Sequence, residues 1–186
     1  RQMCIRDRIP EGLFAGCSKL TEVVGLDNVT SVGDRAFIGC TSLTSVSLPN
    51  VTTVGNSAFA LCEKLTVLSA ENLAEAGDSA FSGANIANVN FPRLSVIGEE
   101  AFADSYGIIT VKLGAVTKMG ANVFRNSNEI TSVEFGEGTT AIGDYALYSS
   151  GRRTRLTSVT LPSSVQTIGN YAFYNCCLLY TSPSPR

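Results

Sequence analysis

Short runs of alternating apolar and polar residues recur along the chain at a nearly constant interval. The run at 43–48 reads Leu-Thr-Ser-Val-Ser-Leu, and the runs at 86–91 and 156–161 read Ile-Ala-Asn-Val-Asn-Phe and Leu-Thr-Ser-Val-Thr-Leu. In each run the apolar residues at the fourth and sixth positions flank a small polar residue, which is the two-residue period of a half-buried strand. Each run therefore predicts a short β-strand with one face in the core.

A second motif, an aliphatic residue followed by Gly-x-x-Ala-Phe, recurs after these runs with minor variants. Its seven glycines are Gly33, Gly55, Gly77, Gly98, Gly120, Gly143 and Gly169. Successive glycines lie 22, 22, 21, 22, 23 and 26 residues apart. Such a period is typical of stacked-repeat solenoids, in which each unit buries its apolar face against its neighbours. The pattern predicts an elongated, β-rich solenoid of about seven units.

The same motif predicts the interior of the solenoid. Its glycine is expected to supply either an unusual backbone angle or a close approach that a side chain would obstruct. The Asp, Asn or Glu that often follows suits the start of a short helical turn, which would carry the Ala-Phe pair into the core. The aromatic residues expected to line up there are Phe37, Phe59, Phe81, Phe102 and Phe124.

A small residue follows three positions after the end of each motif. Cysteine occupies this position at Cys17, Cys40, Cys62 and Cys176, and the other units carry Ala84, Ser105, Ser127 and Ser150. Exchange among Cys, Ser and Ala favours a buried free thiol that packs as a small side chain, and a disulfide between stacked neighbours is the alternative. No zinc site is expected, because the chain has no histidine and no Cys-x-x-Cys pair.

Candidate catalytic chemistry is sparse. The lack of histidine removes the commonest general base and the Ser-His and Cys-His nucleophile pairs. Glu99 and Glu100 could form an acid/base pair, but their place after an anchor glycine favours a solvated turn. The segment 136–141, Gly-Glu-Gly-Thr-Thr-Ala, matches a dinucleotide fingerprint, yet the next motif begins too soon for the long helix that such a site needs. We predict no catalytic residues, no cofactor and no metal.

The repeat unit resembles the BspA-type leucine-rich repeats, which read roughly L-T-x-V-x-L-P-x-x-V-x-x-I-G-x-x-A-F-x-x-C. The likeness covers residues 9–176. It implies a right-handed leucine-rich-repeat-like stack of about 22-residue units, with short β-strands and short helical turns, that serves binding and adhesion on microbial cell surfaces. The unit lacks the Asn or Cys that many leucine-rich repeats carry three residues after the strand, so no asparagine ladder is expected at that position.

The two terminal segments fall outside the repeat. Residues 1–8 and 177–186 carry no repeat residue in phase, and both resemble translated sequencing-adapter read-through. The alternative is a genuine N-terminal arm and a Ser/Pro linker. We expect the solenoid to comprise residues 9–176 and to belong to a larger surface protein.

Overall composition limits the expected partners. The chain is 44% hydrophobic and 16% charged, with a net charge of −2. This balance favours neither nucleic acid nor an anionic membrane as a partner, and no segment predicts membrane insertion. A protein or host-surface ligand is the expected partner, and the resemblance implies a cell-surface or secreted location.

Candidate binding residues lie where the repeat is interrupted. Between Ser150 and Leu156 an insertion reads Gly-Arg-Arg-Thr-Arg, close in sequence to several tyrosines. Insertions in solenoids map to loops on one face and often bind ligands. Together with outward residues of the nearby strands, the candidates are Arg152, Arg153, Arg155, Ser132, Glu134, Ser158 and Thr160.

Two functions remain open from the sequence. The first is a non-enzymatic binding or adhesion module. The alternative is a structural spacer or accessory array in a larger protein that could carry an enzymatic domain.

Overall fold

Each coil of the solenoid contributes strands to parallel ladders. The computed structural model describes residues 7–150 and 154–176. The first ladder contains β3 (Ser45–Ser47), β5 (Val67–Ser69), β7 (Asn88–Phe91), β9 (Thr110–Leu113), β11 (Ser132–Glu134) and β13 (Ser158–Thr160). Within it β3 pairs with β5, and β7, β9, β11 and β13 form a sheet in that order. These strands lie where the alternating runs predicted them.

A second ladder, which the sequence did not predict, runs just before the anchor glycines. Its two-residue strands are β1 (Arg8–Ile9), β2 (Ser31–Val32), β4 (Thr53–Val54), β6 (Glu75–Ala76), β8 (Val96–Ile97), β10 (Lys118–Met119), β12 (Ala141–Ile142) and β14 (Thr167–Ile168). Strands β1, β2, β4, β6, β8 and β10 form one sheet, and β12 pairs with β14. Two residues are too few to show an alternating pattern. The stacking of about seven coils confirms the predicted solenoid.

The turn that follows each glycine is not helical. No helix occurs in residues 7–150 or 154–176, and the turn amides bond to the next coil instead: Phe37 N donates to Ala58 O (2.7 Å) and Phe59 N to Ala80 O (2.8 Å). The second residue after each glycine has a positive φ of 52–60°, namely Arg35, Ser57, Ser79, Glu100, Asn122, Tyr145 and Tyr171. A left-handed residue breaks the helical hydrogen-bond pattern, so the expected short helical turns were a wrong prediction.

The anchor glycines allow adjacent coils to approach closely. A Cβ atom on Gly33 would lie 2.6 Å from Glu11 N, and one on Gly77 would lie 2.8 Å from Asn56 N. Neither glycine has a positive φ. Of the two roles expected for the glycine, the close approach is therefore the one that operates.

The polar residue after the glycine bonds to the neighbouring coil rather than capping its own turn. Asp34 Oδ1 accepts from Asn56 N (2.9 Å), Asn56 Oδ1 from Asp78 N (2.8 Å), and Asp78 Oδ1 from Glu99 N (2.8 Å). We call the three acceptors, Asp34, Asn56 and Asp78, the Asx ladder. The expected helix-capping role was wrong because no helix follows.

The phenylalanine column fills the core as expected. Adjacent rings stack with centroids 4.9–5.6 Å apart, and the five rings are at most 1% exposed; they are Phe37, Phe59, Phe81, Phe102 and Phe124. Rings within the column therefore contact their counterparts in the neighbouring coils.

The small-residue column is explained by a hydrogen bond as well as by size. Cys62 Sγ donates to Phe37 O (3.2 Å), and Ser127 Oγ donates to Phe102 O (2.9 Å). Cys17, Cys40, Cys62 and Cys176 are free thiols, and the last three are buried as predicted. The expected burial is wrong for Cys17, which is exposed in the first coil. Burial raises the pKa of Cys62 to about 12, which keeps its thiol protonated and able to donate at neutral pH. At the insertion, Ser149 is buried while Ser150 is exposed, so the small buried residue comes one position earlier than predicted.

Replacing Ser127 with alanine is expected to lower the free energy of unfolding by about 1–2 kcal/mol, because the change leaves buried backbone groups without a partner. Ser127 Oγ also accepts from Ser105 N (3.3 Å). Ser127→Cys should retain most of the stability, since Cys40 and Cys62 make the equivalent bond. Urea unfolding of both variants measures the difference, and equal losses would show that the side-chain hydrogen bond does not stabilise this position.

Candidate functional site

The four strand residues predicted as binding candidates lie together. Ser132 is the register partner of Ser158, and Glu134 is the partner of Thr160, on the adjacent strands β11 and β13. Glu134 Oε1 forms an ion pair with Lys112 Nζ at 3.1 Å, with both side chains about half exposed. This patch is polar and offers hydrogen-bonding groups, but its carboxylate is already balanced by a lysine.

The predicted basic insertion is only partly described. Arg152 and Arg153 lie outside the described residues. Arg155 Nη1 lies 3.0 Å from Glu129 Oε2, its side chain is 68% exposed, and its amide donates to Asn128 O at 3.0 Å. Arg155 is therefore anchored to the preceding coil with its guanidinium at the surface. That the three arginines bind a ligand remains a prediction.

In the two coils on either side of this insertion the structure places a cluster of four tyrosines. Tyr145 stacks on Tyr171 with centroids 5.3 Å apart, and Tyr148 stacks on Tyr174 at 5.2 Å. The two stacks meet edge to face, at 5.4 Å between Tyr145 and Tyr148 and 5.8 Å between Tyr171 and Tyr174. Tyr171 is 59% exposed and Tyr174 is 46% exposed. We call these four residues the tyrosine cluster.

The tyrosine cluster occupies two positions of the repeat that are filled differently elsewhere. Tyr145 and Tyr171 stand two residues after their glycines, and the equivalent residues in other coils include Ser57 and Ser79. Tyr148 and Tyr174 stand five residues after their glycines, and the equivalent residues in other coils include Ala60 and Ala103. The fold does not require an aromatic residue at either position, so its recurrence in two adjacent coils is a local feature of this surface.

The sequence carries a signal for this cluster. Tyrosine recurs at the same two phases in consecutive units, which places the rings in register one coil apart. The expected site was instead the arginine insertion, which lies close in sequence to Tyr145, Tyr148 and Tyr171, together with the outward face of the nearby strands β11 and β13. The strands of that face carry no outward aromatic residue. The tyrosines lie instead in the turns that follow the anchor glycines.

The residues considered for catalysis have structural roles. Glu99 donates its amide to Asp78 Oδ1 in the Asx ladder, and Glu100 Oε1 lies 3.2 Å from Arg125 Nη2. After the segment 136–138, β12 begins at Ala141, where a dinucleotide site would need a long helix.

Within residues 7–150 and 154–176 no helix is long and apolar enough to cross a membrane.

A comparison with protein families agrees with the repeat pattern, with the stacked phenylalanine column and with the close approach of coils at the anchor glycines. Residues 6–109 and 96–183 match the BspA type leucine rich repeat region, in six copies. The chain belongs to this family. It is therefore a leucine-rich repeat module of the kind that serves binding or structural roles.

Solved structures of bacterial proteins share this fold. A leucine rich repeat protein of T. pallidum is 33% identical with a TM-score of 0.74, and the match covers 87% of this chain and 76% of that one. A leucine-rich repeat protein from Bacteroides ovatus is 24% identical with a TM-score of 0.76, covering 91% of this chain and 44% of its own. A leucine rich cell surface protein from Faecalibacterium prausnitzii is 20% identical with a TM-score of 0.60, covering 93% and 56%. None of the curated proteins matches the sequence.

Proposed function

We propose that this chain is a non-enzymatic binding module that contacts a protein partner through the surface of its last two coils. The interface that we propose, named the C-terminal surface, combines the tyrosine cluster with Arg155 and the strand patch Ser132, Glu134, Ser158 and Thr160. Arg152 and Arg153, which lie outside the described residues, are included for their position in the sequence alone. The module belongs to a larger cell-surface or secreted protein and mediates adhesion to a host ligand. The naming of the F. prausnitzii neighbour as a cell surface protein supports this location.

The tyrosine cluster carries the proposal. Tyrosine and arginine dominate the energetics of protein interfaces, because they combine a large apolar area with a polar group. Four rings lie within 5.8 Å of a neighbouring ring, and Arg155 follows Tyr148 by seven residues along the coil. The hydroxyl groups of the strand patch would form the polar rim of such an interface.

Substituting the tyrosine cluster with residues that the repeat already uses should weaken binding strongly without unfolding the chain. The variant Tyr145→Ser, Tyr148→Ala, Tyr171→Ser, Tyr174→Ala adopts the side chains of equivalent coils. We expect at least about a tenfold loss of affinity for an immobilised acidic host-surface protein identified from a defined panel, since hot-spot aromatics each contribute strongly. Tyr106→Ser, which removes a 59% exposed tyrosine outside the cluster, is the matched control.

A second variant, Arg152→Ser, Arg153→Ser, Arg155→Ser, tests the charge contribution. Its binding should be weaker at low salt and less dependent on salt concentration, because exposed charges are screened within about 8–10 Å at physiological ionic strength. Equal binding by wild type and the tyrosine variant would place the interface elsewhere. Failure of the wild type to bind any member of the panel would favour the spacer function.

A further inference from the structure

A groove runs along the second ladder, on a different part of each coil from the C-terminal surface. It crosses the strands from β2 to β10 and has a volume of about 630 Å³. The residues that line it include the anchor glycines Gly33, Gly55, Gly77, Gly98 and Gly120. Because a Cβ atom at these positions would collide with the preceding coil, the groove is a consequence of the way in which the coils stack.

The dimensions of the groove suit an extended chain. Five strands spaced by about 4.8 Å span about 19 Å, and an extended peptide rises by about 3.4 Å per residue, so five or six residues would fill it. The strands along the groove are paired on both sides from β2 to β8, so a ligand crosses them and cannot join the sheet as a further strand. Recognition would therefore come from the side chains that form the walls.

Those walls carry unbalanced negative charge. Asp34, Glu75, Asp78 and Glu99 line the groove, and none of them forms an ion pair in the described parts of the chain. Two cationic residues also line it, but Arg8 lies on β1 and Lys118 on β10, at the two ends of the sheet. The middle of the groove therefore presents carboxylates without a cation beside them.

Two of these carboxylates are held in place before any ligand binds. Asp34 and Asp78 each use Oδ1 as an acceptor in the Asx ladder, at 2.9 and 2.8 Å. Their Oδ2 atoms form no hydrogen bond within the protein as far as the structure describes it. Fixed acceptors reduce the ordering cost of binding a cation. The charges are spread along the groove, since no group of three possible metal ligands comes together in residues 7–150 and 154–176.

We propose that this groove binds an extended lysine- or arginine-rich segment of a partner protein. The length of the groove, its polar walls and its four unpaired carboxylates complement several cationic side chains along one strand of peptide. The groove would attract positively charged ligands, whereas the arginines of the C-terminal surface would attract negatively charged ones. The two sites would therefore engage different partners or different parts of one partner.

Fluorescence anisotropy with labelled hexalysine, hexaglutamate and a Gly-Ser hexapeptide tests this proposal on the full chain. The groove variant is Glu75→Gln, Asp78→Asn, Glu99→Gln; its asparagine keeps the ladder acceptor, as Asn56 does in the preceding coil. The control variant is Glu63→Gln, Glu71→Gln, Glu137→Gln, which removes equal charge from exposed positions that do not line the groove. Thermal unfolding verifies that both variants fold.

We expect hexalysine alone to bind the wild type with one-to-one stoichiometry, and to bind the groove variant at least about tenfold more weakly. The control variant should stay within about twofold, and raising the salt concentration should weaken all binding. Val96 lies in the groove and is the register partner of Lys118 on the neighbouring strand. The substitution Val96→Lys adds a positive charge there and should also weaken binding of hexalysine. Equal losses in the groove and control variants, or no binding of hexalysine to the wild type at low salt, would overturn the proposal.

Discussion

Replacing Phe81 with alanine is expected to lower the free energy of unfolding by about 3–5 kcal/mol. Phe81 is fully buried at the centre of the phenylalanine column. Its ring lies 5.6 Å from that of Phe59, 5.1 Å from that of Phe102 and 6.2 Å from that of Phe91. Truncation removes contacts on both sides and leaves a cavity that the stacked backbone of neighbouring coils cannot close.

Two controls separate the contribution of stacking from that of general burial. Phe14→Ala should lower the free energy of unfolding by less than half as much. Phe14 is only partly buried, and among the described residues Phe37 is its one stacking partner, at 5.0 Å. Phe81→Leu should cost about 1.5 kcal/mol or less, since leucine keeps most of the volume and Leu147 fills the equivalent position in another coil. Urea unfolding of the three variants measures these differences. A loss for Phe14→Ala as large as that for Phe81→Ala would contradict a core held together by stacking between neighbouring coils.

The parts of the fold that the sequence predicted are those that depend on apolar burial. The column of phenylalanines and the alternation in β7 recur with the repeat, because each coil must bury the same positions against the next. The Asx ladder and the left-handed turn residues were missed because they depend on hydrogen bonds between residues about 22 positions apart. Arg35, Ser57 and Tyr145 all adopt a positive φ at the same position, so residue type gave no indication of it.

The candidate sites also differ in whether the repeat spacing predicts them. The strand patch came together as expected, because register partners in a parallel ladder follow from the repeat spacing. The groove could not be foreseen, because it depends on which backbone atoms lie beneath Gly77 and its equivalents. The tyrosine cluster could have been predicted from its phase in two consecutive units, since residues at equivalent positions of stacked coils lie side by side.

Replacing Gly77 with alanine is expected to lower the free energy of unfolding by about 3 kcal/mol, at the upper end of the range for overpacking. The added methyl group would lie 2.5 Å from Asn56 Oδ1 and 2.8 Å from Asn56 N. Asn56 Oδ1 is also the acceptor for Asp78 N at 2.8 Å, so relief of the collision would disturb the Asx ladder.

The matched control for this prediction is Gly12→Ser, because Gly12 has a positive φ of 63° but no atom within 4 Å of the position that a Cβ would take. Ser57 and Ser79 occupy the equivalent position with φ values of 52° and 53°, so the repeat tolerates serine there. We therefore expect Gly12→Ser to lower the free energy of unfolding by only about 1–2 kcal/mol, the conformational penalty of a left-handed residue. Urea unfolding of the two variants distinguishes collision between coils from backbone conformation as the reason for glycine. If Gly12→Ser were as destabilising as Gly77→Ala, the close approach of neighbouring coils would not explain the anchor glycines.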